Sequence, residues 1–310
     1  MRYGLPYKGS KNSIAEWVVD NLPKADVFCD LFFGGGAITH RAMLTGKYKR
    51  FIINDIDERL PKLFLECIRG EHTVENHPEW ISREEFFRRK DEDAYIALVW
   101  SFGNNGKDYI YGADIEGFKH AYHQAVYKDD TSLLEPWGYK ISSSHLETVY
   151  ERYIEFNRQI KQIARSDLDS VVRQIEIERL QSLQSLQSLQ SLQSLQSYGT
   201  DYKNICIPKD ALIYCDIPYV GTNCGKYGGF NHADFYEWAR RQDNIFISEY
   251  TMPDDFIEIA NIKKIVLSSA IGNGDKAVER IFTNRRTYDR LPDDMKQRIV
   301  INTAEQMTLF

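Results

Sequence analysis

The stretch VFCDLFFGGGAITHRAMLT, residues 27–45, is typical of a strand, a turn and a helix in immediate succession. Its first six residues predict a buried strand, Gly34-Gly35-Gly36 predicts a tight turn, and a helix is expected to start near Ile38. A second apolar run, RFIIND at 50–55, predicts the next strand, with a further helix from Asp57. Strand, glycine turn, helix and strand in this order open a parallel sheet, so we predict the α/β fold class.

The strand pattern stops after the first part of the chain and returns near its end. Strands are predicted at ALIYC (211–215) and NIFISEY (244–250), with the helical stretch HADFYEWARRQ between them. Farther on, KKIVLSSA and AVERIFTN flank Gly272-Asn273-Gly274, a combination that predicts a terminal hairpin. The sheet is therefore expected to be completed by C-terminal strands.

Between these two parts lies a region of polar, aromatic and charged helical segments, with a glycine- and asparagine-rich loop at 101–112. We predict three parts: residues 1–66, an insertion over residues 67–200, and residues 201–310. The insertion ends in six unbroken copies of Leu-Gln-Ser, from Leu180 to Ser197. A three-residue period moves around an α-helix by about 60° per copy, so the repeat predicts no fixed apolar stripe. We interpret it as a variable spacer that is either helical or disordered.

The composition is that of an ordinary globular protein. The 310 residues are 43% hydrophobic, no apolar run is long enough for a membrane span, and the N-terminus lacks the apolar core of a signal peptide, so a cytoplasmic location is expected. The five cysteines show no CxxC spacing, which favours neither disulfides nor zinc. His120 and His123 share a predicted helix face without a third ligand, so no metal site is predicted. The net charge of −6 gives no overall sign of nucleic-acid binding but does not exclude it, because local basic clusters occur.

The glycine turn and the acid that follows it predict a cofactor site. Asp55 follows Gly36 by nineteen residues and ends the second predicted strand, where a carboxylate can accept hydrogen bonds from ribose hydroxyls. A dinucleotide fingerprint would need a third glycine near Thr39, and its absence favours a nucleoside cofactor without phosphates. The alternative is a structural turn followed by a helix-capping aspartate.

The stretch LIYCDIPY, residues 212–219, predicts chemistry at the end of another strand. Asp216 is expected at the carboxyl end of a parallel strand, where such folds bind ligands. Together with the carbonyl of Ile217, its side chain could accept the two protons of an amine on a heteroaromatic ring and so localise the lone pair on nitrogen. Pro218 would fix the turn, and Tyr219 would expose a flat face for stacking on that ring. The alternative is a strand end followed by an ordinary turn.

These residues resemble the Dam-like, alpha-class DNA adenine methyltransferases. Tyr7-Lys8-Gly9-Ser10-Lys11 is similar to the family's N-terminal cofactor motif, Asp30-Leu31-Phe32-Phe33-Gly34-Gly35-Gly36 to its glycine motif, and Asn54-Asp55 to its ribose-binding acid. Asp216-Ile217-Pro218-Tyr219 resembles the catalytic Asp-Pro-Pro-Tyr, with Ile217 in place of the first proline. Segments 246–250 and 279–282 resemble later, less specific family segments.

The resemblance implies a Rossmann-like, S-adenosylmethionine-dependent methyltransferase sheet with a mostly helical inserted target-recognition domain. It implies S-adenosylmethionine as cofactor and double-stranded DNA as partner, and leaves open a cognate restriction enzyme. The implied catalytic residues are Asp216, Pro218 and Tyr219. The implied cofactor-binding residues are Tyr7, Lys11, Asp30, Phe32, Gly34, Gly36, Asp55 and Asp216.

Transfer to the exocyclic amine of adenine would require the base to be flipped out of the duplex. Two other functions stay open from the residues alone. One is methylation of RNA or of a protein glutamine, which would also use a turn that holds an amine or a carboxamide. The other is a catalytically idle DNA-binding protein, because Ile217 departs from the motif.

Overall fold

The computed structural model describes residues 2–163, 173–190, 194–220, 229–265 and 276–299. The chain divides into two compact units. We call residues 11–61 and 192–310 the sheet unit, and residues 1–10 and 62–191 the helical unit. Among the described residues, no helix combines the length and the apolar character that crossing a bilayer requires.

The sheet unit is built on seven strands. Their bounds are β1 Val27–Asp30, β2 Arg50–Asn54, β3 Ser194–Tyr198, β4 Leu212–Asp216, β5 Ile245–Glu249, β6 Ile257–Ile265 and β7 Lys276–Thr283. They lie in the order β3-β2-β1-β4-β5-β7-β6. The first five are parallel, and β7 is antiparallel to both of its neighbours. The predicted α/β, Rossmann-like fold class is confirmed.

Along the chain of the sheet unit, α-helices precede or follow these strands. Their bounds are α1 Ala15–Asp20, α2 Ala37–Leu44, α9 His232–Arg241 and α10 Arg285–Arg290, with 3₁₀ turns at Lys11–Ile14 and Tyr202–Asn204. Every residue of β1 and of β5 is buried. Strands buried on both faces are continuous in apolar character rather than alternating, which is why VFCD and IFISE are recognisable as strands.

Five α-helices lie wholly within the described residues of the helical unit, which also has 3₁₀ turns at Phe102–Asn104, Thr131–Trp137 and Ser185–Leu189. The bounds of the α-helices are α4 Arg83–Arg89, α5 Ala94–Val99, α6 Glu116–Lys128, α7 Val149–Ile163 and α8 Ile175–Gln184. Helix α3, Arg59–Ile68, begins in the sheet unit and ends in the helical unit. The side chains of Ser82 and Asp93 cap the first turns of α4 and α5 by accepting backbone hydrogen bonds.

The loop at 101–112 is held at both ends by α8. Arg179, which is buried, donates hydrogen bonds to the carbonyls of Val99 and Ser101 at 2.6 and 2.7 Å. At the other end, the hydroxyl of Tyr111 donates to Glu176. Satisfied polar networks of this kind fix one conformation because a buried group without a partner is costly.

The described copies of the Leu-Gln-Ser repeat take two structures, a helix and a strand, of which only the helix was among the expected forms. Its first copies complete α8 and continue as a 3₁₀ turn at Ser185–Leu189, and its last copy forms most of β3. The predicted absence of an apolar stripe is wrong for the helical copies, because Leu180, Leu183, Leu186 and Leu189 are all buried. The chain changes from α to 3₁₀ winding, whose period of three keeps leucines three residues apart on one side. Residues 191–193 lie outside the described part of the chain.

The boundaries of the two units differ from the predicted parts. The insertion was expected over residues 67–200, whereas the helical unit comprises residues 62–191 together with 1–10. The C-terminal end differs because β3, inside the repeat, pairs with β2. In the predicted terminal hairpin, β6 and β7 pair in antiparallel register, and the turn at 272–274 lies outside the described residues.

Candidate active site

Acidic side chains collect at one edge of the sheet. Strands β1, β4 and β5 are parallel and end at Asp30, Asp216 and Glu249, and Asp55 directly follows β2. Strand β7 is antiparallel to β5, so the first half of β7 lies beside the carboxyl end of β5. Glu279 is in that half, and its neighbour Arg280 pairs in register with Glu249. Carboxyl ends of parallel strands are where open α/β sheets bind ligands.

The glycine turn after β1 requires glycine at Gly36. This residue has φ of 69° and precedes α2, and a Cβ atom there would lie 2.1 Å from the ring of Phe33. Gly34 also lies in the left-handed region, with φ of 50°. The backbone of the turn is therefore uncovered by side chains at these two positions, and a ligand can approach it closely.

The structure brings the two halves of the predicted cofactor pair together. The amide of Gly34 donates a hydrogen bond of 2.7 Å to Asp55 Oδ2, and the amide of Asp57 donates one of 2.9 Å to Asp55 Oδ1. Asp55 is fully buried. Asn54 fixes its surroundings, because its side chain donates to the carbonyls of Leu31 and Thr200. The acid and the glycine turn thus form one rigid structure.

Asp30 is a buried carboxyl group with spare hydrogen-bonding capacity. Its Oδ2 accepts a hydrogen bond of 2.7 Å from the hydroxyl of Thr39, the residue at the position of the absent third glycine. Among the described residues, its buried Oδ1 has no hydrogen-bond partner. Burial, together with the charges of Asp216 and Asp55, raises the pKa of Asp30 to about 7, although the Thr39 hydrogen bond opposes the shift. A ligand that is cationic or donates a hydrogen bond would stabilise the ionised form of Asp30.

Asp216 is paired with a lysine from the N-terminal motif. Lys11 Nζ lies 3.3 Å from Asp216 Oδ1 and 3.3 Å from Glu279 Oε2. It also donates a hydrogen bond to the hydroxyl of Tyr219, which in turn donates one of 2.8 Å to Glu279. Burial alone would lower the pKa of Lys11, but the charges of Asp216 and Glu279 outweigh it and raise the pKa. Lys11 is therefore a buried cation shared by two carboxylates.

The turn after β4 is fixed by packing and by one hydrogen bond. Ile217 is 2% exposed and belongs to the apolar core of the sheet unit, so the residue that replaces the motif's proline packs inward. His232 Nε2 donates a hydrogen bond of 2.7 Å to the carbonyl of Pro218. Phe32, from the glycine motif, packs against Tyr202 and Phe235. Both motifs are thus anchored in one core.

The profile of the D12 class N6 adenine-specific DNA methyltransferases matches residues 7–251, which is most of the chain. The chain belongs to that family. No curated protein matches its sequence. The predicted family and the predicted activity, methylation of adenine in DNA, are confirmed, and nothing favours the idle or the RNA and protein alternatives.

Tyr219 of this methyltransferase differs from the exposed aromatic that the sequence predicts. It is only 9% exposed. Lys11 Nζ lies 4.2 Å from the centroid of its ring, and the ring of Tyr250 meets it edge-on at 4.4 Å. The residue is buried because its hydroxyl has a carboxylate partner in Glu279, which lies sixty residues away in the sequence.

Two acids of the methyltransferase site were not predicted as site residues. Glu279 belongs to the Lys11 network, and Glu249 accepts hydrogen bonds from the amides of Tyr250 and Val220. Burial raises the pKa of Glu249 to about 7, with the charge of Asp216 adding to the shift. The only sequence signal for either residue is its place in the segments 246–250 and 279–282, which resemble family segments.

Tyr7 is the remaining predicted cofactor-binding residue, and His120 and His123 are the two histidines for which no metal site is predicted. Tyr7 belongs to the helical unit, where its carbonyl accepts a hydrogen bond from the amide of Ser10. His120 and His123 have separate partners: His120 Nε2 contacts Gln124, whereas His123 contacts Glu176 and the carbonyl of Pro78. The described residues contain no group of three or more side chains suited to a metal ion.

Proposed function

We propose that this DNA adenine methyltransferase uses S-adenosylmethionine as its methyl donor and binds it at the glycine turn. The observation that supports this most directly is the buried carboxyl of Asp30, with one oxygen unpartnered among the described residues, between the carboxylates of Asp55 and Asp216. The cofactor carries a sulfonium and an ammonium group, and both charges suit an acidic edge. Its contribution to the reaction is an electrophilic methyl group.

Residues of the sheet unit have distinct roles in this proposal. Gly34 and Gly36 let the cofactor approach the backbone, and Asp55 accepts hydrogen bonds from the ribose hydroxyls of the cofactor. Asp55 can do so although both its oxygens already accept an amide, because each carboxylate oxygen has two lone pairs. Asp30 accepts a hydrogen bond from the ammonium group at the amino-acid end of the cofactor, and Phe32 forms an apolar wall of the cofactor site. Lys11 is the family-implied residue that the N-terminal motif contributes to this unit.

Asp216 is the proposed acceptor for the target amine. An amine conjugated to the adenine ring is a poor nucleophile, because its lone pair is delocalised into the ring. Hydrogen bonds from its two protons to Asp216 and to the carbonyl of Ile217 localise that lone pair on nitrogen. The nitrogen would gain the methyl group as the sulfur–methyl bond of the donor breaks with its electron pair left on sulfur, and the nitrogen would lose one proton, which Asp216 accepts. Pro218 and Tyr219 hold the turn and the base.

The duplex must present a flipped base, and we propose the helical unit as the region that recognises its sequence. This unit has a surface cavity of about 560 Å³ whose lining includes the aromatic residues Phe87, Phe102, Tyr109 and Tyr111. Phe102 and Phe87 are 66% and 50% exposed, which is high for large apolar side chains. Exposed aromatic rings beside a polar rim are typical of surfaces that bind partners.

Transfer of labelled methyl groups tests the proposed function. The purified protein is incubated with S-adenosylmethionine and unmethylated duplex DNA, RNA or protein, and label is expected only in duplex adenine. Asp216→Ala is expected to reduce transfer by at least a thousandfold, about 4 kcal/mol in the barrier, because both the acceptor and the proton sink are lost.

The matched control is Asp210→Ala. Asp210 is an exposed carboxylate that precedes the same strand, so its loss should leave the rate within about twofold. Full activity of Asp216→Ala would remove Asp216 from the mechanism. Label in RNA or protein instead of DNA would overturn the proposed substrate.

A further inference from the structure

The ammonium group of Lys11 contacts the carboxylate that the target amine must use. In the proposed mechanism, the amine donates to Asp216, and the ring of Tyr219 holds the base that carries it. In the structure, Lys11 Nζ lies 3.3 Å from Asp216 Oδ1 and 4.2 Å from the centroid of that ring. The amine and the ammonium therefore compete for one carboxylate.

Glu279 supplies the partner that can resolve this competition. Its Oε2 lies 3.3 Å from Lys11 Nζ and accepts the 2.8 Å hydrogen bond from Tyr219. It is 4% exposed, so solvent does not substitute for it. A buried ammonium that lost Asp216 without another carboxylate nearby would be left largely uncompensated, which is strongly unfavourable.

We propose that Glu279 is a positioning residue for methyl transfer: it retains the Lys11 ammonium when the target amine enters, and so leaves Asp216 able to accept that amine. The proposal rests on the proposed function. Lys11 stays close enough to keep Asp216 ionised, while its hydrogen bonds pass to Glu279 and Tyr219. Lys11, Asp216 and Glu279 together thus meet two requirements: Asp216 stays ionised, and it stays accessible to the amine.

The charges around Asp216 set the direction of a pH test. The titratable groups that interact with it are Lys11, Glu279, Tyr219, Tyr214, Cys215, Asp30, Glu249 and Tyr250. Burial raises the pKa of Asp216, Lys11 opposes the shift, and the charge of Glu279 adds to it. Removing the charge of Glu279 therefore lowers the pKa of Asp216. The ionised carboxylate is the active form, so kcat falls at low pH as Asp216 becomes protonated. This acid limb of the kcat–pH profile should therefore move to lower pH.

The first variant is Glu279→Gln, which keeps the size of the side chain and an acceptor for the Tyr219 hydroxyl. At saturating cofactor and DNA, kcat is expected to fall by at least about tenfold, with KM for either substrate changed less than threefold, because Lys11 then stays on Asp216. The acid limb should move to lower pH. A residue with a purely structural role would not move that limb.

The second variant is Lys11→Met combined with Glu279→Gln. Without its ammonium competitor, Asp216 is accessible again, so above the acid limb the double variant should be faster than Glu279→Gln alone. Its acid limb should lie at higher pH than that of the single variant, because Asp216 has lost its cation. Rescue by removing a second residue is a result that damage to the fold does not produce.

Glu258→Gln is the matched control. Glu258 lies on the neighbouring strand β6 and pairs with Arg280 at 3.1 Å, away from Asp216, so its kcat profile should match the parent's. A parent-like Glu279→Gln, or a double variant no faster than the single one, overturns the proposal. If Glu279→Gln does not fold, Glu279→Asp replaces it: the shorter side chain weakens the hold on Lys11, and Lys11→Met must again relieve the loss.

Failure of the two proposals is distinguishable. If the parent transfers no methyl group to DNA, the proposed function fails, whatever the variants do. The coupling between Glu279 and Asp216 is read without turnover, by following the titration of the Asp216 carboxyl with carbon-13 NMR in the parent and in Glu279→Gln. An unshifted titration overturns the coupling even in an active enzyme.

Discussion

The same tripeptide, Leu-Gln-Ser, folds in two ways in the two units of this methyltransferase. In the helical unit it completes α8 and the 3₁₀ turn at Ser185–Leu189, with every leucine buried. In the sheet unit it forms β3 at the edge of the sheet, with Leu195 only half-buried. Since the copies themselves are identical, the difference comes from the residues that flank each copy and from what each copy packs against.

The helical copies follow the intrinsic preference of their residues. Leucine and glutamine both favour helix, and the preceding residues of α8 start the winding. The change to a 3₁₀ turn places Leu186 and Leu189 three residues apart on a helix of three residues per turn. Packing of the leucines then stabilises a winding that is otherwise uncommon.

The strand copy goes against that preference. β3 pairs with β2 in parallel register from Ser194 opposite Arg50 to Tyr198 opposite Asn54. Backbone hydrogen bonds to β2 need no particular side chain, so an edge strand tolerates a sequence without strong strand preference. A repeat without strong local preference thus takes the structure that its neighbours impose.

Removing one copy is the change with the largest expected effect. Four residues join Leu189 to Ser194, and deletion of three leaves one. With so short a connection we expect either Leu189 to leave the core or β3 to lose its register, so deletion should cost about 2–5 kcal/mol of unfolding free energy, as for loss of a buried leucine. Urea denaturation of the two proteins measures this difference.

Adding one copy is the control, because it lengthens the connection from four residues to seven and preserves both elements. Its cost should be below about 1 kcal/mol. The spacer interpretation predicts instead that deletion leaves cofactor binding unaltered and changes DNA methylation by less than tenfold. Equal effects of the two changes would favour that interpretation over the structural one.

A pair of leucine substitutions compares the two folded forms directly. Leu183→Ala removes a side chain that is 0% exposed and should destabilise the protein by about 2–5 kcal/mol. Leu195→Ala, in the half-buried strand copy, should cost only about 1 kcal/mol. Both values come from denaturant unfolding, and an equal cost at the two positions would contradict the difference in burial.

Substitution of glutamine by valine should show opposite signs in the two forms. At Gln196, on the exposed side of β3, valine favours a strand and should add up to about 1 kcal/mol. At Gln181, in α8, valine disfavours the helix and should cost about 0.5 kcal/mol. Thermal unfolding of both variants is sufficient, and two shifts of the same sign would show that local preference does not distinguish the copies.

The candidate site could be predicted where its residues follow local patterns. Asp30, Asp55 and Asp216 each end or follow an apolar strand, and glycine at Gly36 is required by a left-handed turn that one stretch of sequence specifies. Because parallel strands align their carboxyl ends, three separate local patterns were enough to place these acids at one edge.

Other parts of the site depend on pairing between distant strands. Glu279 reaches Lys11 only because β7 is reversed and lies between β5 and β6, and no local pattern around residue 279 specifies that position. The burial of Tyr219 follows from the same arrangement, since its hydroxyl partner is that glutamate.

The sequence by itself therefore determined the class of fold, the family and the acids at the strand ends, because period, turn chemistry and strand termination are properties of neighbouring residues. The tertiary structure alone decided the partner of Lys11, the burial of Tyr219 and the two forms of the repeat. Each of these depends on which surfaces meet across the fold, and residues with weak or ambiguous local preference adopt whatever state buries their apolar atoms and satisfies their hydrogen bonds.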